Sequence, residues 1–340
     1  MEPADSTLGP RHPVERRTFM AMIAGGLLAA PLGARAQQAG KVYRIGVLSV
    51  QSSFTVRPVQ SAFKQKLRDL GYVEGRNLVI ENRFAEGRYE RLPELARELM
   101  RLNVDLLAAT DGAPSTLALK AATKTIPIVF YAGDAVETGI VASIARPGGN
   151  LTGVSGLTAG LDAKRLEVLK EAVPAATRVA ILWNPENLTG VPQRNRITLA
   201  AEALKVQLRM LEVRSPGEID NAVAVAVRER SEALLVLADP LLASQWKRIV
   251  DLAMRARLPL AAHFRSFPEA GALLSYGPNL VEIVRQLAVY AERILKGVKP
   301  ADLPVEEPTK YELIINLKSA KALGLTIPQS LLLRADEVIQ

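Results

Sequence analysis

The chain has 340 residues, a net charge of +8 and 49% hydrophobic residues, enough apolar material for two packed lobes of ordinary domain size. It contains no cysteine, which excludes disulfides, thiolate metal sites, cysteine nucleophiles and a cysteine-borne lipid anchor. Histidine occurs only at His12 and His263, so a multi-histidine metal site is excluded too, and basic residues are interleaved with acidic ones, as in Lys64-Gln65-Lys66-Leu67-Arg68-Asp69, which marks solvated helix faces rather than a nucleic-acid surface. No metal, cofactor or nucleic-acid partner is expected.

Residues 1–36 read as an export leader of the twin-arginine/Sec type. Arg16-Arg17-Thr18-Phe19-Met20 is a twin-arginine start, Phe19 to Ala30 is an apolar run, and Ala34-Arg35-Ala36 is an A-x-A cleavage site. The apolar run is far shorter than the ~20 residues a spanning helix needs. A mature chain from Gln37 is expected, periplasmic and soluble, not lipid-anchored and monomeric.

Tyr43 to Ser49 is the first short apolar run and predicts a strand. Val59 to Leu70 carries Val59, Ala62, Phe63, Leu67 and Leu70 at helical spacing, ended by Gly71. Asn77 to Phe84 alternates as a strand, and Glu90 to Leu102 is the second helix. Val104 to Ala109 is a continuous apolar run, the pattern of a strand buried on both faces of a parallel sheet. Ile126 to Phe130 gives a further strand, and Arg146 to Gly153, rich in Pro and Gly, reads as a loop leading into a crossover.

The succession then repeats. Arg178 to Asn184 matches Tyr43 to Ser49 in kind, followed by a helix at Leu199–Val206, a strand at Leu208–Val213, a helix at Ile219–Arg230, a buried strand at Ala233–Ala238, a helix at Gln245–Ala256 and a strand at Leu258–Leu260. The near-constant offset between the copies points to duplication of one α/β lobe. Glu269 to Gly277 corresponds to the first crossover loop, Leu280 to Leu295 is a long amphipathic helix, Leu303 to Glu306 a connecting strand, and Tyr311 to Leu323 a final long helix stopped by Gly324. Strands alternating with helices imply right-handed βαβ units and two parallel sheets.

Two such lobes leave a cleft, and ligands of open parallel sheets sit beyond the carboxyl ends of the strands. In the first lobe those positions are Ser49, Ser52 and Ser53, then Thr110 and Asp111, then Tyr131 and Asp134, with Ser155 beyond the crossover loop. In the second they are Trp183, Asn184 and Asn187, then Asp239, then His263 and Phe264, with Tyr276 near the later crossover. Free N–H groups at the helix starts suit a ligand carboxylate; Asp239, Asp134 or Asp111 suits an ammonium; Tyr131, Trp183, Phe264 and Tyr276 suit an aromatic ring. G-x-G-x-x-G, G-x-x-x-x-G-K-[ST] and G-x-S-x-G are all missing, so no catalytic residues are assigned.

Leu67-Arg68-Asp69-Leu70-Gly71-Tyr72-Val73-Glu74-Gly75-Arg76-Asn77-Leu78, Ala122 to Phe130, Ile144 to Gly153, Leu273 to Asn279 and Asn316 to Gly324 resemble the motifs of ABC-transporter substrate-binding proteins of the tryptophan/tyrosine-binding (TrpX-like) type. The resemblance covers about residues 41–333. It implies a type I periplasmic-binding-protein fold: two Rossmann-like α/β lobes with parallel sheets, joined by a three-crossover hinge. Lobe 1 is then 41–152 plus about 278–308, and lobe 2 is 153–277 plus about 309–340. It further implies closure on a small solute, an amino acid, aromatic in some members, or a related carboxylate, and delivery to an ABC permease and ATPase. Two positions depart from the family pattern: Ala135 follows Asp134 where Pro is usual, and Asp111-Gly112 replaces Gly-Thr. The alternatives are a ligand-sensing module for a membrane sensor kinase and a secreted hydrolase. A repressor of the same fold is disfavoured, because a leader stands where its DNA-binding segment belongs.

Overall fold

The computed structural model describes residues 41–156 and 158–340. The leader expected over residues 1–36 and His12 lie outside the described residues. The first sheet is built of β1 (Tyr43–Ser49), β2 (Leu78–Phe84), β3 (Leu106–Ala109), β4 (Ile128–Gly133) and β5 (Leu151–Gly156), all parallel, in the order β2-β1-β3-β4-β5. Between them run α1 (Arg57–Asp69), α2 (Leu92–Arg101) and α3 (Ala113–Ala122). After β5 the chain enters α4 (Thr158–Ala172) and starts the second sheet.

That sheet contains β6 (Arg178–Trp183), β7 (Gln207–Glu212), β8 (Ala233–Val236), β9 (Leu260–Ala262), β10 (Leu274–Pro278), β11 (Tyr311–Asn316) and β12 (Glu337–Ile339), in the order β12-β11-β10-β9-β8-β6-β7. Its helices are α5 (Gly190–Ala203), α6 (Ile219–Arg228), α7 (Pro240–Ser244), α8 (Trp246–Arg255) and α9 (Ser266–Ala270). The long helix α10 (Leu280–Leu295) leaves the second sheet and buries Val284, Leu287 and Ala291 against Val47, Ala108 and Val129 of the first. The chain then returns through β11 to α11 (Leu317–Leu323) and α12 (Gln329–Leu332). The connections thus cross between the two sheets after β5, before α10 and before β11. The architecture is the expected pair of α/β lobes.

Each sheet is covered on both faces, which is why β1, β3, β4, β6 and β8 are near-continuous apolar runs. Strand alternation divides the cores. Val179, Ile181 and Trp183 face one cluster of the second lobe, while Ala180 and Leu182 face the other.

The tail departs from the sequence expectation. Tyr311 to Leu323 is not one helix but strand β11 followed by α11. β11 pairs antiparallel with β10, so Tyr-Glu-Leu-Ile-Ile-Asn gains a ladder that an isolated segment lacks. Asn316 ends the strand and caps α11, its Oδ1 accepting from the Ser319 N–H at 2.9 Å. Leu303 to Glu306 is not a strand: it makes one bridge, between Glu306 and Val154, and Pro304 cannot donate to a ladder. Conversely, the stretches read as crossover loops around 146–153 and 269–277 end in β5 and β10, and β5 holds the chain on the first sheet to Gly156, past the expected boundary at 152. The helix expected at Leu199 starts earlier, at Gly190.

Candidate functional site

The carboxyl ends of both sheets face one cavity of about 360 Å³. Val59, Thr110 and Asp111 line it from the first lobe; Trp246, His263 and Phe264 line it from the second. A smaller cavity of about 40 Å³ adjoins it, sharing Asp111, His263 and Phe264 and adding Tyr131, Asn187 and Asp239. Phe264 packs against core clusters of both lobes.

Asp111 follows β3 and turns back over the end of β1. Its Oδ2 accepts from Ser49 Oγ at 2.7 Å, from the Val50 N–H at 2.6 Å and from the Gln51 N–H at 3.3 Å. Its Oδ1 accepts from Ser115 Oγ at 2.6 Å, in the first turn of α3. Burial raises its pKa overall, against the hydrogen bonds, Ser115 first and Ser49 next, that pull it down. A side chain that accepts from two main-chain N–H groups and two hydroxyls behaves as a carboxylate.

Asp239 caps α7, accepting from the Leu242 N–H at 2.9 Å, and its other oxygen accepts from Tyr89 Oη at 2.6 Å and Asn187 Nδ2 at 3.0 Å. Tyr89 belongs to the first lobe, so this bond spans the lobes. Burial raises the Tyr89 and Asp239 pKa values.

His263 is 2% exposed, stands edge-on to Phe264 with ring centroids 4.1 Å apart, and has no hydrogen-bond partner for either ring nitrogen among the described residues. Burial, with the nearby Arg165 charge, lowers its pKa well below the usual imidazole value. The ring is therefore neutral where it lines both cavities.

The structure gathers Thr110, Asp111, Tyr131, Asp239 and His263 around this space. Tyr131 lines the smaller cavity, its hydroxyl held protonated by burial. Other expected site residues sit elsewhere. Ser49 acts through Asp111. Ser52 closes a turn with Thr55, its Oγ 3.1 Å from Thr55 Oγ1, and Ser53 is exposed. Ser155 accepts from the Ala135 N–H at 3.1 Å inside the first lobe. Asp134 meets Arg196 Nη2 across the lobes at 3.4 Å, away from the cavity lining. Trp183 is core, 2% exposed, with the Arg194 guanidinium over its ring. Asn184 orders its own loop, Oδ1 accepting from the Glu186 N–H at 2.9 Å. Tyr276 packs against the second-lobe core, and its carbonyl accepts from Arg165 Nε at 2.7 Å.

Sequence reasoning missed Tyr89, Trp246 and Glu312. Tyr89 follows β2, so the strand-end rule that found Thr110 also reaches it. Glu312 lies on β11, which the sequence presents as helix. Among the described residues no cluster of His, Asp or Glu could hold a metal ion, and no helix is long and apolar enough to cross a membrane.

The model of the family described as ABC transporter substrate binding protein matches residues 44–339. A tyrosine-binding protein of Clostridioides difficile (strain R20291) is 27% identical over 286 residues, covering 84% of this chain and 82% of that protein. The ABC domain in complex with L-Trp from Streptococcus pneumonia is 26% identical, with a TM-score of 0.80, over 88% of this chain and 100% of that one. A ligand-free, open substrate binding protein with adhesive properties from Clostridium difficile is 25% identical over the same shares, with a TM-score of 0.61.

Proposed function

The chain belongs to the ABC transporter substrate binding protein family, and from that premise we propose that it is the periplasmic capture component of an importer, closing its two lobes on a small aromatic solute of the amino-acid class. The observation that carries this is the 360 Å³ cavity lined from both lobes, with the buried, unpartnered His263 beside Phe264 and Trp246. Apolar walls with a few convergent polar groups suit a ligand of that size and character. The family's role is binding, and the ligand is released unaltered.

Hinge closure fits the same geometry. Tyr89 reaches Asp239, and Arg196 reaches Asp134, only when the lobes touch. The L-Trp complex and the open, ligand-free structure resemble this chain about equally in sequence yet differ in TM-score, 0.80 against 0.61. Similar lobes at different hinge angles give that result. A permease and ATPase pair then reads the closed form, and the leader expected over residues 1–36 supports the compartment.

The test is a thermal-shift screen with L-tyrosine, L-tryptophan, tyramine and tryptamine. A ligand at ~100 times its Kd adds about 2.7 kcal/mol to the stability of the form it binds. A rise of the unfolding midpoint with at least one of the four is expected. Four flat responses would overturn the aromatic-solute reading.

A further inference from the structure

In an open α/β lobe, a ligand anion is normally received by main-chain N–H groups after a strand and by the positive end of the following helix. In the first lobe the N–H groups after β1 are already occupied by Asp111. The Val50 and Gln51 N–H groups after β1 point at its Oδ2, at 2.6 and 3.3 Å. Its Oδ1 is tied at 2.6 Å to Ser115 in the first turn of α3. The protein's own carboxylate sits where a ligand carboxylate would be received.

The charged side chains of the cavity do not favour an anion. Its charged lining side chains are Asp111, Glu269, Glu312 and Arg265. The Arg265 guanidinium donates to Glu269 at 2.9 Å and to Glu337 at 2.7 Å, and lies 3.9 Å from Glu312. Arg57 and Lys247 stand over the Phe54 ring and do not line the cavity. His263 is neutral. A carboxylate entering this space leaves water to meet three carboxylates and one cation already paired with carboxylates, a costly transfer. An ammonium finds the opposite.

We infer that the cavity selects an aromatic amine lacking a free carboxylate, and that Asp111 is the residue that sets this preference. Ligand amine meets the acidic side of the cavity, and the ring lies between Trp246 and Phe264 of the second lobe and Val59 of the first. This rests on the reading of the cavity as an aromatic-solute site and narrows it.

Isothermal titration calorimetry with matched pairs tests it: tyramine against L-tyrosine, and tryptamine against L-tryptophan. The wild-type protein is expected to bind each amine at least about tenfold more tightly than its amino acid, the scale of one hydrogen-bonded charge, and 4-hydroxyphenylacetate not at all. Asp111→Asn keeps the side chain's size and removes the charge, so the gap within each pair should shrink. If the amino acids bind as tightly as the amines, the inference falls while the aromatic-solute reading stands. A preference that survives unchanged in Asp111→Asn overturns the role of Asp111. If none of the four binds, the reading and the inference fall together. The wild-type comparison decides on its own should the variant not fold.

Discussion

Asp162 and Arg165 lie one turn apart on α4, 0% and 1% exposed, with Arg165 Nη1 donating to Asp162 Oδ1 at 2.7 Å. Arg165 also holds the Tyr276 carbonyl, so the pair ties α4 to β10 where the chain passes between the sheets. Burial outweighs the pairing and raises the Asp162 pKa to about 6, while it lowers that of Arg165. The sign follows from linkage. A carboxylate whose folded pKa lies above its unfolded value of about 4 stabilises the fold most fully below that value, and the contribution is lost as pH rises through about 6. The stability difference between wild type and Asp162→Asn should therefore shift by about 1 kcal/mol in favour of wild type between pH 7 and pH 5. Urea unfolding at the two pH values measures it. A difference independent of pH would show that Asp162 takes up no proton there.

Gly277 shows how closely one strand positions the site. A Cβ at this position would overlap the main-chain carbonyl oxygen of His263 on the neighbouring segment. The obstacle is backbone, so no side-chain rotation relieves it. Gly277→Ala should cost about 1–3 kcal/mol, the range for overpacking, and should weaken aromatic-ligand binding because His263 moves with its carbonyl. A variant with wild-type melting and wild-type affinity would show that the strands separate without cost. The elements were legible to different degrees for related reasons. Parallel strands buried on both faces, such as β3 and β8, announce themselves as apolar runs, because nothing polar is tolerated on either side. The sequence of β11 fits a helix as well, because Leu313, Ile314 and Leu317 fall at helical spacing; only its pairing with β10, a contact distant in sequence, decides the matter. Site residues follow the same division. Thr110, Asp111, Tyr131, Asp239 and His263 line the cavities, where a place at a strand end puts a residue. Trp183 satisfied that rule as well, yet it shares its strand parity with Val179 and Ile181 and so faces their core. That signal was present in the sequence. The partners of Asp111 were not, because Val50 and Gln51 act through main-chain N–H groups that carry no residue signature.

At the scale of the whole molecule, polar links join the two lobes across the cleft among the described residues, and Tyr89 makes the shortest of the hydrogen bonds. Its hydroxyl donates to Asp239 at 2.6 Å, and its ring packs against apolar clusters of both lobes. Tyr89 does not line the larger cavity, so it acts on closure rather than on the ligand there. Tyr89→Phe keeps the packing and removes the bond. Asp239 retains Asn187 and the Leu242 N–H, so it is not left bare and the second lobe stays intact. A hydrogen bond to a carboxylate contributes about 1.5–3 kcal/mol, and under the proposed hinge closure that contribution exists only in the closed form. A ligand that binds the closed form must then supply the difference, so its Kd should rise by about tenfold or more. Calorimetry gives the Kd, and small-angle scattering of the saturated variant should still show the compact closed form, since excess ligand restores the population. An unchanged Kd would mean that the Tyr89 link does not distinguish open from closed, and that closure is driven by the ligand and the other contacts between the lobes.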